Sequence, residues 1–167
     1  MARLKPLPAL WLVSDERNDA VLESALRRLP RGSGLIFRHY HLGAAKRRSR
    51  FGELTRLARA RGHMVALAGT RRQARCWGAD LAYGPGGHLQ PVHDLREIGR
   101  TRDAAALLLS PVFATRSHPG GKVLGPLRFR VLAARASAPV IALGGMNPKS
   151  ARRLQWPYWA GIDAFLR

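Results

Sequence analysis

Short apolar runs alternate with amphipathic stretches from one end of the chain to the other, and this alternation limits the fold more than any other feature. The segments Ala9–Ser14, Gly34–Arg38, His63–Ala68, Ala79–Tyr83, Ala104–Ser110 and Pro139–Leu143 read as strands. Pro91–His93 reads as a very short strand, and Gly161–Leu166 as an eighth that ends the chain. Between them, helical spacing gives Asp19–Leu29 an apolar face of Val21, Leu22, Ala25, Leu26 and Leu29, and Ser49–Arg61 a stripe of Leu54, Leu57 and Ala58. Shorter helices are expected at Thr70–Trp77, Leu95–Thr101, Leu127–Ala136 and Pro148–Leu154. Strand then helix, repeated along the whole chain, requires parallel strands joined by crossovers. Eight such units favour a closed (β/α)8 TIM barrel over an open doubly wound sheet. The first strand also lacks the Gly-x-Gly-x-x-Gly that would follow it in a dinucleotide fold. At 167 residues the chain is short for a barrel. Loops must be minimal and nothing remains for a closing helix. The expectation is one shortened α/β barrel domain over residues 1–167, without its last helix. Barrel surface left uncovered there invites a second copy of the chain, a homo-oligomer.

The charge needs a reason. Twenty-nine Lys and Arg face ten Asp and Glu, for a net charge of +19, and only Lys5, Lys46, Lys122 and Lys149 are lysines. The basic residues spread over helical stretches such as Ala44–Arg61 and Thr70–Arg75. No aromatic residues interleave with them as a stacking platform would require, so nucleic acid is not the expected partner. A small anionic substrate drawn to a positive field suits the charge better. No apolar run is long enough to cross a bilayer, and the N-terminus shows no clear secretory pattern. The single cysteine, Cys76, excludes an internal disulfide and fits a reducing compartment, so a cytoplasmic protein is expected. Beside Trp77 on a helix, Cys76 reads as a buried or half-buried structural thiol. His39 and His41 would share one side of an extended strand, but no third ligand follows, and no metal site is assigned.

Two stretches carry the chemistry. Leu107–Gly121 is an apolar strand that runs into a loop rich in hydroxyl, Arg and Gly residues, and Pro139–Leu143 leads into Gly144-Gly145-Met146-Asn147-Pro148. A strand, a glycine turn and a helix present backbone N–H groups to a phosphate. Two in succession place a site at the C-terminal ends of parallel strands. Thr115, Arg116, Ser117, Gly144 and Gly145 are the candidate phosphate and substrate contacts. Thr115 and Ser117 also fit a role as loop caps, and the glycines a role as a tight turn. Arg38 ends an inward-facing strand, and His93 sits at a short strand end where acid–base work is possible; Asp94 beside it also suits a helix cap.

These motifs resemble the thiamine phosphate synthases and their relatives, the thiazole tautomerases. The matching positions are Pro111, Val112, Phe113, Thr115, Leu124, Gly125, Gly144 and Gly145, with Arg38 and His93 in looser matches upstream. The resemblance implies a (β/α)8 fold and a role in joining the two halves of thiamine, with attack of a thiazole phosphate on a pyrimidine that sheds diphosphate. It implies that Gly144 and Gly145 bind the thiazole phosphate, that Thr115 touches substrate and that Arg38 faces the diphosphate. It also implies magnesium, held by carboxylates after the third and fourth strands. Here Ala68-Gly69-Thr70 and Gly84-Pro85-Gly86-Gly87-His88 stand at those places. Magnesium wants oxygen ligands, so it is expected only if a substrate diphosphate supplies them, with Asp15 and Asp94 the first substitutes to consider. A metal-independent tautomerase that uses His93, and a barrel that binds phosphate ligands or nucleic acid without turnover, are the alternatives.

Overall fold

The computed structural model describes residues 6–116 and 119–165. Its eight strands are β1 (Leu10–Val13), β2 (Gly34–Phe37), β3 (Met64–Ala68), β4 (Leu81–Tyr83), β5 (Leu89–Val92), β6 (Ala106–Leu109), β7 (Val140–Ala142) and β8 (Trp159–Gly161). They are all parallel and close into a barrel in chain order, β8 pairing with β1 through Leu10–Trp159, Trp11–Ala160 and Leu12–Gly161. The helices are α1 (Leu22–Arg28), α2 (Ala44–Ala60), α3 (Arg71–Trp77), α4 (Leu95–Arg100), α5 (Gly125–Ala133) and α6 (Pro148–Leu154). Short helices reconcile a barrel with this chain length: all but α2 run six to nine residues. β4 reaches β5 through residues 84–88 with no helix at all.

Strands covered on both faces must be apolar on both faces. Inside the barrel, Trp11, Val13, Ile36, Ala66, Ala68, Tyr83, Leu89, Ala106, Leu108, Ile141 and Ala160 form one buried cluster. Outside, β1–β4 with α1–α3 bury a second, around Leu12, Leu26, Phe37, Phe51, Leu54 and Leu67. β5–β7 with α4–α6 bury a third, around Val92, Leu107, Leu109, Phe129, Val140 and Leu154. Two seams in the barrel are thin: β4 and β5 share one registered pair, Tyr83–Leu89, and β7 and β8 share one, Ala142–Trp159. Arg71 reinforces the first, donating to the carbonyls of Gly86, Gly87 and Asp103.

Three expectations are corrected. β8 runs Trp159–Gly161, two residues earlier than its apolar run suggests, and Asp163–Phe165 is a 3-10 turn. Gly161 permits the bend: a Cβ there would lie 2.8 Å from that of Ala164 in the turn that follows. α2 begins at Ala44 rather than Ser49, since its first turn is solvated and its apolar stripe starts only at Phe51. Cys76 is exposed, not buried, because Ala74 is the residue α3 turns inward. No helix among the described residues is long and apolar enough to cross a membrane.

Candidate functional site

A cavity of about 560 Å³ opens at the C-terminal ends of the strands. The loop between β6 and α5 and the turn between β7 and α6 form one wall, while Arg38, Tyr83, His93 and residues 161–164 complete the rim. The two wall segments are knitted together: Val112 N–H donates to Leu143 O, and Phe113 N–H to Gly144 O, both at 3.0 Å. Gly144 has φ +96° and Gly145 φ +62°, a region that disfavours any side chain. A Cβ on Gly144 would lie 2.6 Å from Pro111 Cα, and one on Gly145 2.5 Å from Ala114 O. Packing alone therefore dictates the glycine pair. It also leaves both N–H groups without an acceptor among the described residues. Asn147 fixes the far side of the turn, its Oδ1 accepting from Lys149 N–H at 2.9 Å and Ser150 N–H at 3.0 Å. Ser150 Oγ donates to Gly145 O at 3.0 Å.

Across the cavity, Arg38 Nη2 pairs with Asp15 Oδ2 at 2.7 Å, and its Nε donates to Ser14 O at 3.2 Å. Burial by itself would raise the Asp15 carboxyl; hydrogen bonds from Arg17 and the charge of Arg38 more than offset it and hold it below its ordinary value. Burial pushes the Tyr83 hydroxyl up, so it faces the cavity as a neutral phenol. His93 is 57% exposed, and its Nδ1 lies 2.9 Å from Glu97 Oε2. With Nδ1–H donated to that carboxylate, Nε2 keeps its lone pair. The same Glu97 oxygen accepts His93 N–H at 2.6 Å, which locks the pair at the start of α4.

Of the residues singled out in the sequence, Arg38, His93, Thr115, Arg116, Gly144 and Gly145 all line this one cavity. Ser117 lies outside the described residues. Sequence reasoning missed Lys122, Tyr83 and Asp163 as lining residues. Lys122 directly follows the singled-out stretch Leu107–Gly121, and that adjacency was the available signal. Asp163 was hidden by reading 161–166 as strand. The cationic lining groups Arg38, Arg116 and Lys122 face one lining carboxylate, Asp163, which pairs with Arg17 at 3.5 Å.

The donor set does not fit magnesium. Among the described residues no group of three or more His, Cys, Asp or Glu is placed to hold a metal ion. The end of β3 is covered by the Arg47 guanidinium, which donates to Ala68 O at 2.7 Å. Asp15 is committed to Arg17 and Arg38, and Asp94 caps α4 by accepting Glu97 N–H at 2.8 Å. His39 and His41 do not share a strand: β2 stops at Phe37, and the backbone turns at His39, with φ +41°. His39 is buried and His41 exposed, yet their rings lie 5.1 Å apart.

Residues 90–163, a little under half of the chain, match the family model described as thiamine monophosphate synthase. Among solved structures, the chain is similar to a thiamine phosphate pyrophosphorylase from Pyrococcus furiosus. The two superpose with a TM-score of 0.78 at 19% identity, over 97% of this chain and 88% of that one. No curated protein matches the sequence.

Proposed function

We propose that the chain is a divergent member of the thiamine phosphate synthase family, with a part in thiamine biosynthesis, and that its cavity binds a thiazole phosphate. One coincidence carries this reading: the two segments that wall the cavity both fall inside the stretch that matches the family. In this reading the phosphate sits against the N–H groups of Gly144 and Gly145, with Arg116 and Lys122 neutralising it and Thr115 contacting substrate. Apolar lining from Pro91, Pro111, Leu143 and Met146 suits the heterocycle. Arg38 takes a second anionic group, such as the diphosphate of a pyrimidine partner.

A specific observation favours the tautomerase as a second reading. His93 faces the cavity with Glu97 behind it, and among the described residues no carboxylate cluster accompanies them. Tautomerisation moves one proton and consumes nothing. An imidazole that accepts the proton at Nε2 and returns it elsewhere closes the balance without a co-reactant. Condensation, by contrast, must stabilise a departing diphosphate, and among the described lining residues Arg38, Arg116 and Lys122 are the cations at hand to do so.

The test is a thermal melt with thiazole phosphate and with the unphosphorylated thiazole alcohol. A rise in Tm with the phosphate alone supports the cavity assignment, by preferential binding to the folded state; equal or absent shifts sink it. Condensation and tautomerisation assays, each with and without EDTA, then separate the two readings. Brisk, EDTA-sensitive condensation would overturn the tautomerase reading.

A further inference from the structure

Behind Arg38 runs a buried row of hydrogen bonds that the proposed chemistry leaves unused. Ser14, fully buried, accepts the backbone N–H of Arg38 at its Oγ, at 2.8 Å. The same Oγ lies 2.8 Å from His39 Nδ1. The His39 side chain has no exposed surface, and its Nε2 lies 2.8 Å from Asp19 Oδ1. Asp19 also accepts from Arg50 Nε at 2.8 Å, and Arg50 pairs in turn with Glu23 and Glu53. A carboxylate offers only lone pairs, so Nε2 carries the ring hydrogen and donates to Asp19. Nδ1 is then bare, Ser14 Oγ–H donates to it, and an Oγ lone pair remains for Arg38 N–H. A single tautomer satisfies every group in the row. Ser14 O meanwhile accepts Arg38 Nε at 3.2 Å, so one serine holds Arg38 by both its backbone and its guanidinium.

We propose that Asp19, His39 and Ser14 form a positioning relay that aims Arg38 at an anion in the cavity, with His39 as the protonation-sensitive member. The proposal rests on reading the cavity as a phosphate site. Protonated His39 would carry hydrogen on both nitrogens. Ser14 Oγ would then face two donors, its own hydrogen would need a new acceptor in a buried place, and its hold on Arg38 would weaken. Three charged or titratable groups act on His39 from the packed elements: Asp19 of the segment before α1, Arg50 of α2, and His41 beyond β2. Burial is the largest influence and pushes His39 below its ordinary value; Arg50 and His41 act the same way, and Asp19 opposes them. The relay is therefore intact at neutral pH and fails in acid.

Inorganic pyrophosphate, titrated calorimetrically into the intact protein at neutral and acid pH, tests this. His39→Phe keeps the ring stacked on Phe37, whose centroid lies 4.6 Å away, and removes both hydrogen bonds. It should weaken pyrophosphate binding about tenfold at neutral pH, the usual scale for losing a buried hydrogen bond. It should also abolish the part of the acid weakening that the wild type shows beyond the ligand's own protonation, which is common to both proteins. In parallel, the Arg38 backbone amide resonance should follow the titration of His39 in the wild type and not in Ser14→Ala. Unchanged affinity in a folded His39→Phe overturns the relay, as does an Arg38 amide indifferent to His39. Should His39→Phe fail to fold, Asp19→Ala takes its place. A wild type that ignores pyrophosphate refutes the phosphate site instead, and the amide titration still decides the relay.

Discussion

Gly145 shows why a single residue can be indispensable to a site and yet useless as a probe of it. Its positive φ and the Ala114 carbonyl 2.5 Å from any added Cβ make every substitution a change of fold before it is a change of binding. Gly145→Ala should cost more than about 1 kcal/mol in urea unfolding, since alanine is strained at positive φ; a neutral effect would mean the two loops part easily. Side-chain contributions are cleaner to test. Arg116→Gln with Lys122→Gln removes two exposed cations and should leave Tm nearly unchanged. Affinity for thiazole phosphate should fall about tenfold or more, because hydrogen bonds to charged groups are the stronger kind. At His93 the readout is turnover: His93→Ala should lower any tautomerase rate by about a hundredfold or more, the usual contribution of a positioned acid–base group. A milder loss would leave His93 as no more than the Glu97-bound start of α4.

Among the elements, α6 depends most on local chemistry. It has only seven residues, and a reciprocal cap joins Asn147 to Ser150 while Ser150 reaches back to Gly145. Asn147→Ala should cost about 0.5–2 kcal/mol and, because the cap and the glycine turn share Ser150, should weaken phosphate binding as well. Loss of stability without loss of binding would uncouple the two. α6 was also the element most legible in the sequence: Asn147-Pro148 marks its start, and both ends match expectation. Where signals were weaker, boundaries slipped. The first turn of α2 buries nothing, so no apolar spacing announces Ala44. The expected first helix, Asp19–Leu29, is α-helical from Leu22 onward as α1, while its start belongs to a 3-10 turn from Glu16 to Val21 capped by Asp15. Arg38, His93 and the glycine pair were recoverable because strand ends and glycine turns leave a local mark. The Asp19–His39–Ser14 row was not, since its members lie up to 25 positions apart and meet only once β1 and β2 are side by side.

At the scale of the whole molecule, charge and buried histidine set the response to solvent. His39, His63 and His88 are all held below their ordinary value of 6.5, with burial the largest cause in each. The unfolded chain therefore binds more protons than the native one as acid is added. Stability is full above about pH 6.5 and falls progressively below it, so the urea midpoint should drop from about pH 7 to about pH 5.5. A midpoint that rises on acidification would contradict the buried, neutral state of these rings. The net charge of +19 repels itself at low ionic strength. Raising salt from about 10 mM to about 150 mM shortens the screening length to about 8 Å and should raise Tm. A fall in Tm would mean that the ion pairs around Arg50 outweigh the general repulsion.

The thin seam between β4 and β5 has a consequence for how the chain can be cut. The first seam is also where the outer core divides: β1–β4 rest on one cluster and β5–β7 on the other, with Trp159 of β8 packed against the second. Loop 84–88 crosses the first seam at the surface. Cleaved there, the chain yields β1–β4 and β5–β8, which meet at the thin first seam and at the β8–β1 pairing; each should be unstable alone, and the two should recombine into a working barrel when expressed together. Because the cavity takes Arg38 and Tyr83 from one fragment and its glycine wall from the other, a thiazole phosphate should act as the clasp between them.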